Sequence, residues 1–117
     1  MSLRFFTDEE FACSCCGESK VQTKVKYALD FARGVAGIPF TITSGYRCVD
    51  HNIQVGGSAT SSHLNGTAVD IACNDSSSRY KIITALLDAG FHRIGVADTF
   101  IHADMDRDKP ERVMWTY

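Results

Sequence analysis

The chain has 117 residues, of which 44% are hydrophobic and 22% are charged, and its formal net charge is −2. This length supports one domain with a single core, and we treat residues 1–117 as that domain. The weak net charge and the lack of a basic run argue against nucleic acid or a membrane surface as partners. No apolar stretch is long enough to span a bilayer, and residues 1–7 lack the pattern of a secretory signal peptide. We expect a monomer that is made in the cytoplasm.

The first half of the chain predicts two helices and a strand. A capping box at residues 7–10 predicts a short helix that ends near Gly17. Apolar residues recur at helical spacing through residues 21–32 and predict a second helix, which two following glycines end. Alternating β-branched residues at 40–44 predict a strand. The polar, glycine-rich segment 45–58 is predicted as a loop that leads to the next strand.

The second half predicts one helix among several strands. A helix over residues 79–87 is expected to end at Gly90. The predicted strands cover residues 68–71, 93–96, 100–104 and 112–117. Short turns separate the last three strands. This order of elements predicts an α+β fold in which a small, mostly antiparallel sheet is flanked by helices.

Two stretches place histidine and aspartate beside short strands. His63 precedes a sharp turn at Gly66, and Asp70 follows in a strand, on the face opposite its apolar neighbours. His102 lies inside a second apolar strand. Two histidines and one aspartate suit a zinc ion, and three protein ligands leave the fourth position to water, as in catalytic zinc sites. A carboxylate between buried apolar residues is costly without a cation, which favours a ligand role for Asp70.

The chain contains five cysteines, an odd number that argues against a complete set of disulfides. Cys13, Cys15 and Cys16 crowd into one short segment, whereas Cys48 and Cys73 are far away in sequence. A zinc knuckle is conceivable, but the spacing differs from the usual pair with a two-residue gap, and no second pair completes it. We interpret the cysteines as buried free thiols that pack as small apolar residues.

Several motifs occur together and in order. They are Ser44-Gly45-Tyr46-Arg47, His51-Asn52, Val55-Gly56-Gly57, Ser62-His63-x-x-Gly66-x-Ala68-x-Asp70, Ile94-Gly95-Val96 and Phe100-Ile101-His102-x-Asp104. This set resembles the zinc D-Ala-D-Ala carboxypeptidases and phage murein endopeptidases of the M15 peptidase family, in its compact branch. The resemblance extends from about Phe5 to Trp115, nearly the whole chain.

The resemblance implies roles for four residues. It implies that His63, Asp70 and His102 are the zinc ligands and that Arg47 contacts a carbonyl or carboxylate of the substrate. Ser62 is assigned to substrate binding with Arg47. The implied fold is the small α+β sheet that these peptidases share with the hedgehog signalling domain. Zinc would polarise the scissile carbonyl and activate water, and the arginine fork suits an oxyanion better than lysine does.

The general base is less well defined by the resemblance. Many relatives carry an acidic residue three positions before the last histidine, and this chain has Thr99 there. Strand alternation offers Asp104 and Asp98 as catalytic residues, because both would share the face of His102 in a regular strand. Asp104 ranks first, although it could instead orient a zinc ligand from behind.

Other side chains near these motifs have structural interpretations. We interpret the aromatic residues Phe100 and Trp115 as core, and His51 as a residue that holds its loop. Arg93 is a second cation that could accompany Arg47 at the site.

The predicted function is zinc-dependent hydrolysis of peptide bonds in peptidoglycan stem peptides. D-Ala-D-Ala carboxypeptidase and L-Ala-D-Glu endopeptidase activities both occur among relatives, and the sequence leaves both open. A phage or prophage lysis enzyme, cytoplasmic until it is released to the cell wall, fits the lack of a signal peptide. One alternative is an inactive, hedgehog-like zinc domain that binds the cell wall or a protein. Another is a metal-free structural phage protein.

Overall fold

A five-stranded sheet forms the centre of the fold in a computed structural model that describes residues 3–117. The elements in chain order are a 3-10 turn Asp8–Phe11, α1 Thr23–Ala36, β1 Ile42–Ser44, α2 Val49–Gln54, β2 Ala68–Ala72, α3 Ser76–Asp88, β3 Arg93–Val96, β4 Phe100–Asp104 and β5 Val113–Thr116. The strand order is β1-β2-β4-β3-β5, and only the β3–β5 pair is parallel among the described strands. The predicted α+β fold with a mostly antiparallel sheet is confirmed. Residues 1 and 2 of the predicted domain lie outside the described residues.

One face of the sheet is apolar and carries the core. Side chains alternate between the two faces of a strand, so the apolar residues of β2, β3 and β4 point to the same side. Val69, Ile71, Ile94 and Ile101 are at most 1% exposed. They form one buried cluster with apolar residues of α1 and α3. Burial of these side chains fixes the strand register, because a shift of one residue would expose the apolar set.

The opposite face carries a row of residues that crosses all five strands. Ser44 of β1 pairs with Asp70 of β2, and Asp70 pairs with His102 of β4. His102 pairs in turn with Gly95 of β3, which pairs with Trp115 of β5. We call this set of residues the polar row. Two of the three predicted zinc ligands are therefore direct neighbours across the sheet.

The structure corrects two predictions in the first half of the chain. The helix expected to end near Gly17 is a single 3-10 turn, Asp8–Phe11. It stops because the cysteine-rich loop closes on itself, with Cys13 N–H donating to the Glu18 carbonyl at 2.7 Å. The segment 45–58 is not all loop, since it contains the six-residue helix α2. Helix α2 escaped prediction because it is short and its apolar residues are exposed.

The other predicted helices and strands are present, with shifted ends. Helix α1 is capped at its C-terminus by Gly37, which adopts a left-handed conformation with φ of 69°, as expected of a glycine cap. Helix α3 begins at Asp75, whose carboxylate accepts from Ser78 N–H at 2.8 Å. No helix among residues 3–117 is long and apolar enough to cross a bilayer.

Gly66 joins the loop of His63 to strand β2. Its φ is +74°, and a Cβ atom there would lie 1.9 Å from the Lys20 carbonyl oxygen. The Gly66 carbonyl also accepts from Gln22 N–H at 2.8 Å, just before α1. Gly66 is therefore required both for the turn and for its close approach to the residues before α1.

We expect Gly66→Ala to lower the free energy of unfolding by about 2–4 kcal/mol, because left-handed strain and a steric clash combine. Gly37→Ala is the matched control. Gly37 also has a positive φ, but apart from Gly37 and its neighbours in the chain no described residue comes within 4 Å of the place that a Cβ would occupy, so a loss of only about 1–2 kcal/mol is expected. Urea denaturation of both variants measures the difference, and equal losses would contradict this account.

Candidate metal centre

A cavity of about 590 Å³ opens over the polar row and is lined by Ser44, Asp70, His102 and Trp115. His63 enters the same cavity from the loop that precedes β2. The predicted ligands His63, Asp70 and His102 thus meet at one point. Among the residues that the structure describes, they form a group whose ligand atoms all lie within 4.8 Å of one another.

His63 is oriented by a backbone carbonyl. Its Nδ1 atom lies 2.7 Å from the Gly45 carbonyl oxygen. A carbonyl oxygen can only accept, so Nδ1 carries the proton and Nε2 keeps its lone pair. Nε2 lies 3.3 Å from Asp70 Oδ1. The ring is only 2% exposed, and in its neutral form the Nε2 lone pair is available to a cation beside Asp70.

His102 is held between two carboxylates. Its Nδ1 atom lies 2.9 Å from Asp70 Oδ1, and its Nε2 atom lies 2.7 Å from Asp104 Oδ2. Asp104 is 1% exposed, and its other oxygen accepts from Arg93 Nε at 2.8 Å. When Nε2–H donates to Asp104, the Nδ1 lone pair is directed towards Asp70. A carboxylate behind a ligating histidine fixes the ring and raises its basicity.

The donor set fits zinc. Zinc–nitrogen and zinc–oxygen bonds of about 2.0–2.2 Å place tetrahedral ligand atoms about 3.3–3.5 Å apart. The separations of 3.3 and 2.9 Å between the Asp70 oxygen and the two histidine nitrogens are close to that spacing. Two neutral imidazoles and one carboxylate leave a fourth position open to the cavity.

Electrostatics keep Asp70 ionised. Burial raises the pKa of Asp70, but hydrogen bonds with His102 and His63 outweigh burial and hold the pKa well below its usual range. In the same way burial lowers the pKa of His102, and hydrogen bonds with Asp104 and Asp70 raise it above the ordinary value.

Arg47 lies on the cavity wall and is half-buried. Its backbone N–H donates to the His63 carbonyl at 3.2 Å, which links the two residues. A Cβ atom on Gly57 would lie 2.9 Å from Arg47 Nη1, so the guanidinium packs closely against this glycine. Arg47 Nε is buried and has no hydrogen-bond partner within residues 3–117. Burial lowers the pKa of Arg47, whereas the charge of Asp70 raises it.

The comparison with known proteins agrees with this geometry. The family model for peptidase M15 matches residues 4–104, which include the three candidate ligands and Arg47. The chain belongs to the M15 peptidase family. It is therefore a member of a family of metallopeptidases that generally depend on zinc. No curated protein sequence matches the chain.

In this M15 peptidase, Ser62 lies next to His63 and is 3% exposed. Its hydroxyl donates to Asp106 Oδ2 at 2.7 Å and accepts from Lys109 Nζ at 2.9 Å. Lys109 reaches the cavity wall and lies 3.6 Å from the same Asp106 oxygen. Ser62, which was predicted to bind substrate, thus lines the cavity, but its hydroxyl already hydrogen-bonds Lys109 and Asp106.

The two predicted bases occupy different environments. Asp104 lies behind His102 in the sheet, and its oxygens contact His102, Arg93 and Asp106 N–H. Asp98 lies in the turn between β3 and β4, is exposed and does not line the cavity. The alternation of side chains along a strand does not apply to Asp98, because strand β4 begins only at Phe100.

Much of the cavity wall was not predicted from the sequence. Phe100 and Trp115, interpreted as core, both line the cavity, and the Trp115 ring centroid lies 5.5 Å from that of His102. His51 also lines the cavity, and its Nε2 atom lies 3.2 Å from the Ser14 hydroxyl. Trp115 can lie there because Gly95 has no side chain, and a Cβ would come within 2.7 Å of its indole nitrogen.

We expect Asp104→Asn to weaken zinc binding by about 10- to 100-fold, because the support of His102 is lost. Competition with a chromophoric chelator measures the affinity, and circular dichroism verifies the fold. Asp98→Asn is the matched control and should retain the zinc affinity. Unchanged zinc affinity in Asp104→Asn, with slower turnover at saturating zinc, would instead support the base role.

Proposed function

We propose that this M15 peptidase hydrolyses peptide bonds in peptidoglycan stem peptides, with a zinc ion held by His63, Asp70 and His102. The observation that carries the proposal is the convergence of these three ligand atoms in a cavity whose wall includes Arg47. A bound zinc ion would supply a Lewis acid and lower the pKa of water to about 7. Residues of the chain would orient the ligands and bind the substrate.

Contacts within the protein orient the two candidate histidine ligands before a metal ion binds. Gly45 fixes the His63 ring through its carbonyl, and Asp104 fixes the His102 ring through its carboxylate. Both histidines then present a lone pair towards Asp70. We infer that Asp104 is a positioning residue, because its two oxygens are already engaged by His102 and Arg93.

Arg47 is the cation that we assign to the substrate. Three cations reach the cavity wall, but Arg93 is paired with Asp104 at 2.8 Å and Lys109 with Asp106 at 3.6 Å. Arg47 forms no salt bridge within the described part of the chain. A guanidinium can form two parallel hydrogen bonds with a carboxylate or stabilise a developing oxyanion.

Stem peptides match this wall in charge and size. They carry free carboxylates, which suit Arg47, and small methyl side chains, which suit the aromatic wall of Phe100 and Trp115. The bond is either D-Ala-D-Ala, where Arg47 would hold the terminal carboxylate, or L-Ala-D-Glu, where it would hold the carbonyl. The proposal places the site of action in the cell wall, as for a phage lysis enzyme.

One observation favours a second function, in which the domain binds zinc and a partner without cleavage. Thr99 stands where many relatives carry an acid, and it lies exposed in the β3–β4 turn. Neither Asp98 nor Asp104 offers a free carboxylate to the cavity in its place. A binding domain of this kind would take up zinc and stem peptides and leave murein intact.

Digestion of purified murein tests the two functions. We expect new stem-peptide fragments with the intact protein, and their masses identify the bond. Asp70→Ala and a chelator-treated sample should release none, and zinc added back to the chelated sample should restore cleavage. A zinc-loaded protein that leaves every murein chemotype uncut would overturn the peptidase proposal in favour of the binding function.

Arg47→Lys tests the role of the guanidinium. We expect kcat/KM on the cleaved stem peptide to fall about 10- to 100-fold, because a lysine cannot form the paired hydrogen bonds. Zinc content should stay the same, since Arg47 is not a ligand. An unchanged kcat/KM would remove Arg47 from the substrate site.

A further inference from the structure

Four cysteines from distant parts of the chain meet at one place outside the cavity. Cys13, Cys15 and Cys16 lie in the loop after the 3-10 turn, and Cys48 caps the N-terminus of α2. Their four sulfur atoms all lie within 4.8 Å of one another. The interpretation as buried thiols is wrong for Cys15 and Cys16, which are exposed. The fourth sulfur that the sequence pattern lacks is supplied by Cys48, across the fold.

The sulfur spacing fits a tetrahedral metal ion. Cys48 Sγ lies 3.7 Å from Cys13 Sγ and 3.3 Å from Cys15 Sγ. Zinc–sulfur bonds of about 2.3 Å in a tetrahedral site place the sulfurs about 3.8 Å apart. All four cysteines are free thiols rather than disulfides, so each can offer a thiolate.

Backbone N–H groups point at the sulfurs. Cys48 N–H donates to Cys13 Sγ at 3.5 Å, and His51 N–H donates to Cys48 Sγ at 3.4 Å. Such donors offset the negative charge of thiolates, and this support around the ligands is typical of metal sites in proteins.

We propose that Cys13, Cys15, Cys16 and Cys48 bind a second zinc ion in a closed, structural four-thiolate site. Four protein ligands leave no open position for a substrate. The ion would tie the N-terminal loop to the start of α2. This proposal does not depend on peptidase activity, because none of its four ligands lines the cavity.

The position of the cluster indicates what the ion would stabilise. Cys48 directly follows Arg47, and Ser14, between two of the cysteines, lies 3.2 Å from His51 Nε2 through its hydroxyl. Arg47 and His51 both line the cavity. Tyr46 N–H also donates to the Phe11 carbonyl at 2.9 Å, so the chain just before Cys48 already contacts the chain just before Cys13. The second ion would hold this wall of the cavity in place.

The test uses the full chain carrying Asp70→Ala, which disables the site in the cavity. Purified without chelator, this variant should retain one zinc ion per chain. X-ray absorption should give four sulfur neighbours at about 2.3 Å. Replacement of zinc by Co²⁺ should produce thiolate-to-cobalt charge-transfer bands. The unsubstituted chain should bind two zinc ions.

Cysteine variants in the same background provide the control. Cys16→Ser removes an exposed ligand and should abolish tight zinc binding and shift the cobalt spectrum, and Cys48→Ser should do the same. Cys73→Ser removes the cysteine outside the cluster and should keep both signals. Added zinc should raise the unfolding temperature of the Asp70→Ala variant but not that of Asp70→Ala/Cys16→Ser.

Three results would overturn the proposal. The first is an Asp70→Ala variant that folds without zinc and shows no thiolate bands with Co²⁺. The second is zinc retention by both Cys16→Ser and Cys48→Ser. The third is an intact mass that reveals disulfides among the four cysteines in protein purified under reducing conditions.

Discussion

The pairing of Asp70 with His102 across β2 and β4 is the constraint on which the site depends. The two residues are register partners, and their side-chain atoms approach to 2.9 Å on the polar face. The same register buries Val69 and Ile71 on the other face. A slip of one residue would drive the carboxylate and the imidazole into the core and expose the apolar pair. Core packing and site geometry are thus fixed by a single alignment of strands.

The third candidate ligand, His63, comes from a loop and needs separate support. Its ring is held by the Gly45 carbonyl, and its own carbonyl accepts from Arg47 N–H. Gly66 then turns the chain into β2 through a conformation and a close contact that a side chain would disturb. The motif that joins His63 to Asp70 therefore reflects backbone requirements as much as ligand chemistry.

Alternation of apolar residues was enough to predict β2 and β4 and to place Asp70 on the face opposite its apolar neighbours. The sequence could not reveal which strands are neighbours, so the contribution of Trp115 from the parallel strand β5 was missed. Cys48 was missed for the same reason, because 35 residues separate it from Cys13 while their sulfurs lie 3.7 Å apart. Local sequence patterns predict helices and strands and the side chains that share one face of a strand. Contacts between residues that are distant in sequence depend on the tertiary fold.

The most direct test of the account is anomalous diffraction at the zinc edge from crystals of the zinc-loaded protein. The account predicts a peak about 2.0–2.2 Å from His63 Nε2, an Asp70 carboxylate oxygen and His102 Nδ1. The other nitrogen of His102 should remain on Asp104. A peak bonded to His102 through Nε2, or no peak at these three residues in crystals that hold zinc elsewhere, would contradict the account.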